Sequence, residues 1–381
     1  MGNIEIRKVE GLKGIKHFVD FRTELYKDCQ YAVPFLFQDE VDTLNPKKND
    51  SFHYCEAEYF MAYRDGKAVG RVAAMINRKA NSTWNRKNVR FGWFDFIDDY
   101  EVSEALIRTV EAWGRERGME YLVGPLGLTD MDREGLMVEG FNEMATMSSS
   151  YNFPYYEEHL KRIGGFEKDN DWLQLTINIP DVVPDKFNRT AELIEKRYNL
   201  HTKNYSRKEL IKGGKGQRLF EILNTCYAHL YEFSQLSQQQ IDLYINNYIK
   251  IANTKLISAV IDSNNNDEMV GFGVSFPSFS EALRKTKNGK LFPFGWYHLA
   301  KVLLFHNTKT VDLYLVGVLP EYRSKGANAL IFRDLIKRFR SYGFEKAIAL
   351  PMMETNTHVL GQWQYLDSEV TKRLRSYKKK L

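Results

Sequence analysis

Apolar and polar positions along the chain fall into one order of elements that occurs twice. Residues 59–77, YFMAYRDGKAVGRVAAMIN, form two apolar-rich runs around Asp65-Gly66, a dipeptide that supplies the positive φ angles of a tight turn, so a β-hairpin is predicted. FGWFDFID (91–98) predicts a further strand. In EVSEALIRTVEAWGRERG (101–118), Val102, Leu106, Val110 and Trp113 recur at helical spacing with charges between them, and Gly118 stops the pattern. MEYLVGP (119–125) then reads as a short buried strand. In the second half, TKLISAVI (254–261) and EMVGFGVSF (268–276) flank an Asn/Asp-rich turn. VDLYLVGVL (311–319) predicts a strand, ANALIFRDLIKRFRSYG (327–343) a helix, and FEKAIALPM (344–352) a strand.

The correspondence extends to detail. GRERGMEYLVGP and FRSYGFEKAIALP share a basic helix end, a Gly stop and a buried strand. YEEHLKRIGGFEKDNDWLQLTINI (156–179) adds a helix, a Gly-Gly turn and a strand, and WQYLDSEVTKRLRSYKKKL at the C-terminus is a more degenerate version of that ending. The chain therefore reads as two copies of one mixed α/β unit, residues 1–180 and 181–381, divided near IPDVVPDKFN where two prolines break the pattern. One long α/β domain is the simpler alternative, and the repeated order favours two.

Composition narrows the classes. The 381 residues are 43% hydrophobic, as in globular proteins, and 54 basic against 49 acidic residues give +5. That surplus helps hold an anionic ligand but is too diffuse to argue for nucleic acid. Cys29, Cys55 and Cys226 are far apart and odd in number, which suits reduced buried thiols. The opening MGNIEIRKVEGLKG has no apolar signal core, and no run approaches the roughly 18 apolar residues of a membrane span, so a cytoplasmic protein without a membrane partner is expected.

The stretch VGVLPEYRSKGANALIF (316–332) carries the clearest candidate chemistry. It reads as strand, turn, basic loop and helix N-terminus, a unit that binds anions through backbone amides and the helix dipole. Gly326, Ala327 and Ala329 are small enough for a ligand to approach the backbone, while Arg323 and Lys325 add positive charge. A basic loop that merely caps a helix is the plainer reading. In its context of hairpin, central strand, R-x-x-G-x-N, helix and strand, the segment resembles the GNAT acyltransferase superfamily. There the motif Q/R-x-x-G-x-G/A holds the pyrophosphate of acetyl-CoA. Arg323 and Gly326 match its first two fixed positions, and Asn328 stands where Gly or Ala is usual. The first copy has Asp98, Asp99 and Glu101 at the corresponding turn, so it is expected to have lost cofactor binding.

The resemblance implies two tandem GNAT-like domains and an N-acyltransferase. It would move an acyl group from acetyl-CoA or another acyl-CoA to a small-molecule or peptide amine by direct attack on the thioester. Val316 and Val318 would flank the pantetheine arm. Arg323, Ser324, Lys325, Gly326, Ala327, Asn328 and Ala329 would cradle the pyrophosphate, and Asn356 would contact CoA. Glu354 is the carboxylate placed for a base, with a solvated loop acid as the alternative. Tyr365, two residues beyond Trp363, is the candidate proton donor to the thiolate, against a packing role. Asp312 and Tyr314 alternate on the central strand and would share a face.

Other stretches are weaker. TDMDREG (129–135) offers Asp130, Asp132 and Glu134 but lacks the spaced ligands of a calcium loop, so a surface loop is expected and no metal is assigned. EMATMSSSYNFPYY (143–156) suits either an acceptor pocket between the copies or the packing of their joint. KGGKGQ (212–217) lacks the Lys-Ser/Thr of a P-loop. Two other functions stay open: a non-catalytic CoA-binding scaffold, and an aminoacyl-tRNA-dependent transferase, for which the basic runs KRFRSYG (337–343) and KRLRSYKKK (372–380) would supply a surface. Edge strands leave room for a homodimer.

Overall fold

A computed structural model describes residues 2–381. The predicted hairpin is Cys55–Arg64 (β2) and Lys67–Asn77 (β3), turned by Asp65 at φ 50° and Gly66 at φ 78°. An N-terminal strand, Ile4–Lys8 (β1), pairs with β2, and Asn88–Phe96 (β4) with β3. The helix Tyr100–Glu116 starts where the Asp99 carboxylate accepts the Glu101 amide, an N-cap that stabilises by about 1 kcal/mol, and Gly118 at φ 71° follows its end. Tyr121–Gly124 (β5) then runs parallel to β4. Alternation places neighbours on opposite faces: a side chain at Gly70 would meet Val102 and Leu106 of that helix. The next residue, Arg71, instead reaches the carbonyl of Phe18 in the helix Gly11–Leu25.

The second copy repeats this plan with Ile257–Asp262 (β9), Glu268–Pro277 (β10), Thr310–Val318 (β11) and Lys346–Met353 (β12). Thr254 to Leu256, read as strand from the sequence, instead forms a short 3-10 turn before β9. The helix Asn328–Ser341 packs on one face together with the helix Asp185–Tyr198. Lys215–Tyr227 covers the other face, where Phe272 and Cys226 both approach Gly317.

Leu136–Glu139 (β6), Glu167–Asn178 (β7), Leu200–Lys203 (β8) and Ser368–Lys380 (β13) complete the described strands. All thirteen form one sheet in the order β1-β2-β3-β4-β5-β13-β7-β12-β11-β10-β9-β8, with β6 against β13. The two long terminal strands are exchanged. The first half's β5 takes β13 from the chain's end, while the second half's β12 takes β7 from before residue 180. Asp171 of β7, its side chain fully buried, accepts Arg375 Nε at 2.8 Å and a second Arg375 N–H at 2.9 Å, with Lys168 Nζ at 3.1 Å. Burial alone would raise the Asp171 pKa, but hydrogen bonds from Arg375 and Lys168 hold it below the usual carboxylate value.

Because each half depends on a strand from the other, the two cannot melt separately. Urea unfolding of the full chain is expected to give one transition, coincident by circular dichroism and tryptophan fluorescence. A chain ending at Asp367 is expected to lose native structure in both halves. Two separated transitions in the full chain would show that the exchange does not couple them.

Candidate functional site

The antiparallel register of β10 with β11 steps from Val274–Leu315 to Ser275–Leu313, so Tyr314 is an extra, bulged residue. The parallel pairing of β11 with β12 covers only Thr310–Leu313 against Lys346–Ala349. Beyond it the strands part, and Pro351, which has no amide hydrogen to donate, lies in the parted segment. The opening leads into a cavity of about 860 Å³ that passes through the sheet.

One end of the cavity is the basic loop. Val316 and Val318 of β11 line it, with Arg323, Ser324, Asn328 and, from beyond β12, Asn356. The Arg323 guanidinium donates to the Val318 carbonyl at 2.9 Å and the Cys226 carbonyl at 3.3 Å, tying the loop to β11 and to the helix beneath it. Asn328 is the first residue of the helix Asn328–Ser341, and the two amides that follow it are held by the loop, Ala329 donating to the Gly326 carbonyl at 2.9 Å and Leu330 to the Ala327 carbonyl at 3.1 Å. The Asn328 side chain stands in the wall and does not close the cavity. Lys325, Gly326, Ala327 and Ala329 do not line the cavity. Gly326 makes the turn at φ 80°, Ala327 and Ala329 are buried behind it, and the Lys325 ammonium lies 4.2 Å from the Tyr322 ring centre. These four shape the loop from behind.

Two predicted residues fall elsewhere. Glu354 is half-buried and ion-paired with Lys168 at 2.6 Å, outside the cavity wall. Tyr365 is 40% exposed, with the Lys186 ammonium 3.3 Å from its ring centre. Asp312 and Tyr314 lie near each other, since Phe276, opposite Asp312 in the ladder, packs its ring 5.5 Å from that of Tyr314. Tyr314 lines the cavity, whereas Asp312 is buried with Oδ1 unpartnered. Burial pushes the Asp312 carboxyl up to about 7, against the pull of Ser278 and Lys372.

From the loop, an apolar arm runs beneath the helix Asn328–Ser341, walled by Ile331, Phe332, Leu335, Ile336 and Phe339 and, across it, Ala347 and Ala349. From Ile331 to Phe339 it follows eight residues of helix, about 12 Å at 1.5 Å per residue.

The opposite end is acidic, and here the expected surface loop is corrected. Asp130, Asp132 and Glu134 of TDMDREG line the cavity, folded inward over Ser234 and Arg90. The Ser234 amide donates to Asp130 at 3.3 Å, and Asp132 accepts the Thr129 amide at 2.9 Å to hold its own turn. Burial pushes Asp130 up to about 7, although the hydrogen bond from Ser234 and the Arg90 guanidinium pull it down. Burial, with Asp130 beside it, drives Glu134 well above its ordinary value, and Glu134 Oε1 has no hydrogen-bond partner. The Arg90 guanidinium is engaged by Glu232 at 2.5 Å, so it neutralises neither carboxylate outright.

Sequence reading missed Phe35, Asp39 and Glu40 and the tyrosines Tyr227 and Tyr248, which also line this end. The only local signal was the run of carboxylates in the helix Phe37–Thr43, one of which, Glu40, is buried against Trp93 Nε1 and Arg133. The stretch 143–156 divides between its two readings. Met147 and Ser148 line the cavity, while Phe153, Tyr155 and Tyr156 pack in a ring stack with Tyr26 and Phe96. Much of the basic character of the two runs is internally paired: Arg338 with Asp334, Arg340 with Asp181, Arg373 and Arg375 with Asp171, and Lys379 with Glu111.

No protein-family model matches the chain. It is 27% identical to Protein YghO of Escherichia coli (strain K12), over 96% of this chain and 93% of that protein. It is likewise 27% identical to the bacterial ceramide synthase of Caulobacter vibrioides (strain NA1000 / CB15N), over 91% and 90%. Among solved structures, a tandem GNAT protein from the clavulanic acid biosynthesis pathway superposes with TM-score 0.55 at 10% identity, covering 99% of this chain and 98% of that one. The fold is a tandem GNAT fold. A GCN5-related N-acetyltransferase from Sphaerobacter thermophilus gives TM-score 0.52 at 10% identity, covering 99% and 95%. A GCN5-related glucosamine N-acetyltransferase region of a fungal multi-domain GH3 β-N-acetylglucosaminidase gives 0.56 at 12%, with this chain spanning 38% of that protein's length. The cavity is lined from both halves: Arg323, Ser324 and the helix over the apolar arm come from the second, and Asp130, Asp132 and Glu134 from the first.

The raised Asp130 pKa makes its burial a stability cost that depends on pH. The folded value, about 7, lies above the ordinary 3.8, so the penalty is absent below pH 4, grows as pH rises towards 7 and is constant above. Asp130→Asn, which keeps an acceptor for the Ser234 amide, is therefore expected to raise the melting temperature more at pH 8 than at pH 5. An equal shift at both pH values would show that Asp130 ionises normally.

Proposed function

We propose that the protein is an acyl-CoA-dependent N-acyltransferase in which the second half holds the thioester and the first half presents the amine. The observation that carries this reading is the single cavity joining a basic helix-N-terminal loop, an apolar arm and a pair of unneutralised carboxylates. Arg323, Ser324 and Asn328 in the wall at a helix N-terminus suit a pyrophosphate, and the edge of β11 beyond Leu313, where it leaves β12, suits a pantetheine arm once Arg323 and Tyr227 release the Val318 and Val316 carbonyls. The apolar arm is far longer than an acetyl group needs and suits a long acyl chain. Acyl-CoA supplies the acyl carbonyl as a thioester, which the amine attacks with departure of the thiolate.

Asp130 and Glu134 attract a cationic amine, because an ammonium compensates the burial that keeps them protonated when alone. Asp130, with a pKa near 7, is suited to take the proton that the nitrogen must lose. The Tyr314 hydroxyl, on the bulge, has its pKa raised by burial and so remains a phenol able to donate to the departing sulfur. It takes the role that the resemblance gave Tyr365. The wall beside the carboxylates is apolar, with Phe35, Leu36, Met131 and Met147. A ceramide is an N-acylated amino alcohol, and the Caulobacter relative's name supports an amino alcohol with a hydrocarbon tail as the acceptor class here.

Each methylene buried in the arm contributes about 0.8 kcal/mol, close to fourfold in affinity. Calorimetric titration is expected to show palmitoyl-CoA binding far more tightly than acetyl-CoA, and Arg323→Glu weakening both. Leu335→Trp is expected to abolish the chain-length preference while leaving acetyl-CoA binding intact. In turnover with a long-chain amino alcohol, Asp130→Asn is expected to lower kcat by 10²-fold or more and to remove the rise in rate through pH 7. A folded wild type that binds no acyl-CoA would leave the scaffold reading in its place.

A further inference from the structure

Between the helix Ser280–Arg284 and β11 the chain runs through a connection into the helix Gly295–Phe305. Of that helix only Gly295 and Val302 are buried. Phe292 is 80% exposed, Phe294 74%, Phe305 76% and Leu304 71%, with Trp296 and Tyr297 about half exposed beside them. A cluster of large apolar side chains in water is costly unless something covers it.

The charges around it bear on what does. Residues 282–311 contain Arg284, Lys285, Lys287, Lys290, Lys301 and Lys309 and no Asp or Glu. Lys290 pairs with Asp20 and Lys309 with Glu345, while Arg284, Lys285, Lys287 and Lys301 make no ion pair among the described residues. Exposed phenylalanine and leucine, a Trp and a Tyr at the edge, and unpaired cations around them are the composition of a helix that lies in the interface of an anionic bilayer. Contrary to the expectation of no membrane partner, this surface is suited to one, although no helix of the described residues is long and apolar enough to cross a membrane. A helix lying flat on one escapes that criterion.

This segment is also held beside the cavity. The Phe37 amide donates to the Gly289 carbonyl at 3.1 Å, and the Lys290 ammonium lies 4.3 Å from the Phe37 ring centre. Phe37 opens the helix whose Asp39 and Glu40, with Phe35 and Leu36 before it, line the acidic end. We propose that the 292–305 face docks the protein on an anionic membrane surface, with the acidic end of the cavity next to the lipid. The surface stands independently of the acyltransferase reading.

The test is sedimentation of the purified full-length protein with vesicles of phosphatidylcholine alone and of equal parts phosphatidylcholine and phosphatidylglycerol. Wild type is expected to bind the mixed vesicles about tenfold or more tightly than the neutral ones, and less as salt is raised. Phe292→Asp with Phe305→Asp is expected to abolish binding without lowering the melting temperature, since both side chains are exposed. Lys285→Glu with Lys287→Glu is expected to remove the preference for phosphatidylglycerol and keeps the test decisive should the first pair perturb folding. Failure of wild type to bind either vesicle overturns the proposal, as does undiminished binding by both variants. So does a concentration-dependent dimer, dispersed by the phenylalanine substitutions, in a wild type that ignores vesicles.

Discussion

The arrangement of this molecule depends on a pairing that is not made. Two adjacent parallel strands would ordinarily hydrogen-bond along their shared length, and β11 and β12 stop after Leu313 and Ala349. The bulge at Tyr314 turns β11 aside, and Pro351 removes a donor from the opposite edge. Unpaired backbone groups inside a protein are costly, so the gap persists only because the rest of the sheet fixes both strands from their outer sides: β10 along β11, and β7 along β12. The gap gives the basic loop, the apolar arm and the acidic loop a common interior.

The outer support explains why two copies are needed. The strand that braces β12 comes from the first half, and β13 returns the exchange by completing the first half's sheet. Asp171 at that join satisfies a buried charge with Arg375, Arg373 and Lys168, and so fixes the register of β7 on β13. The first half carries Asp98, Asp99 and Glu101 where the second has its basic loop, yet it remains part of the site, because its 129–135 loop reaches the cavity that the second half opens.

The two sequence periods made the hairpins, the helix Tyr100–Glu116 and the helix Asn328–Ser341 legible, because each buries one face against a sheet and turns the other outward. The loop from Val316 onward was legible for a local reason too: a strand, a small-residue turn and a helix start are adjacent in the chain. Asp130 and Glu134 were not, since three carboxylates in seven residues look like a solvated turn until Arg90, Ser234 and the opposite half are placed around them. Glu354 and Tyr365 lie apart from the cavity for the converse reason. They sit at suitable distances along the chain, but Lys168 and Lys186 hold them outside the cavity wall. The exchange of β7 and β13 left no trace in periodicity, because alternation is the same whichever sheet a strand joins.

The cavity's charge is polarised end to end, and that polarity constrains what can lie along it. A helix N-terminus with Arg323 favours phosphate, and placing a pyrophosphate beside Asp130 and Glu134 would set like charges together with burial already working against them. An ammonium has the opposite preference, gaining from the carboxylates and losing at the loop. A molecule carrying both an anion and a long hydrocarbon chain can satisfy the loop and the apolar arm only in one direction, which leaves the acidic end for a cation. The order anion, hydrocarbon, cation follows from where the charges are fixed, and Tyr314 stands on the bulge between the two ends.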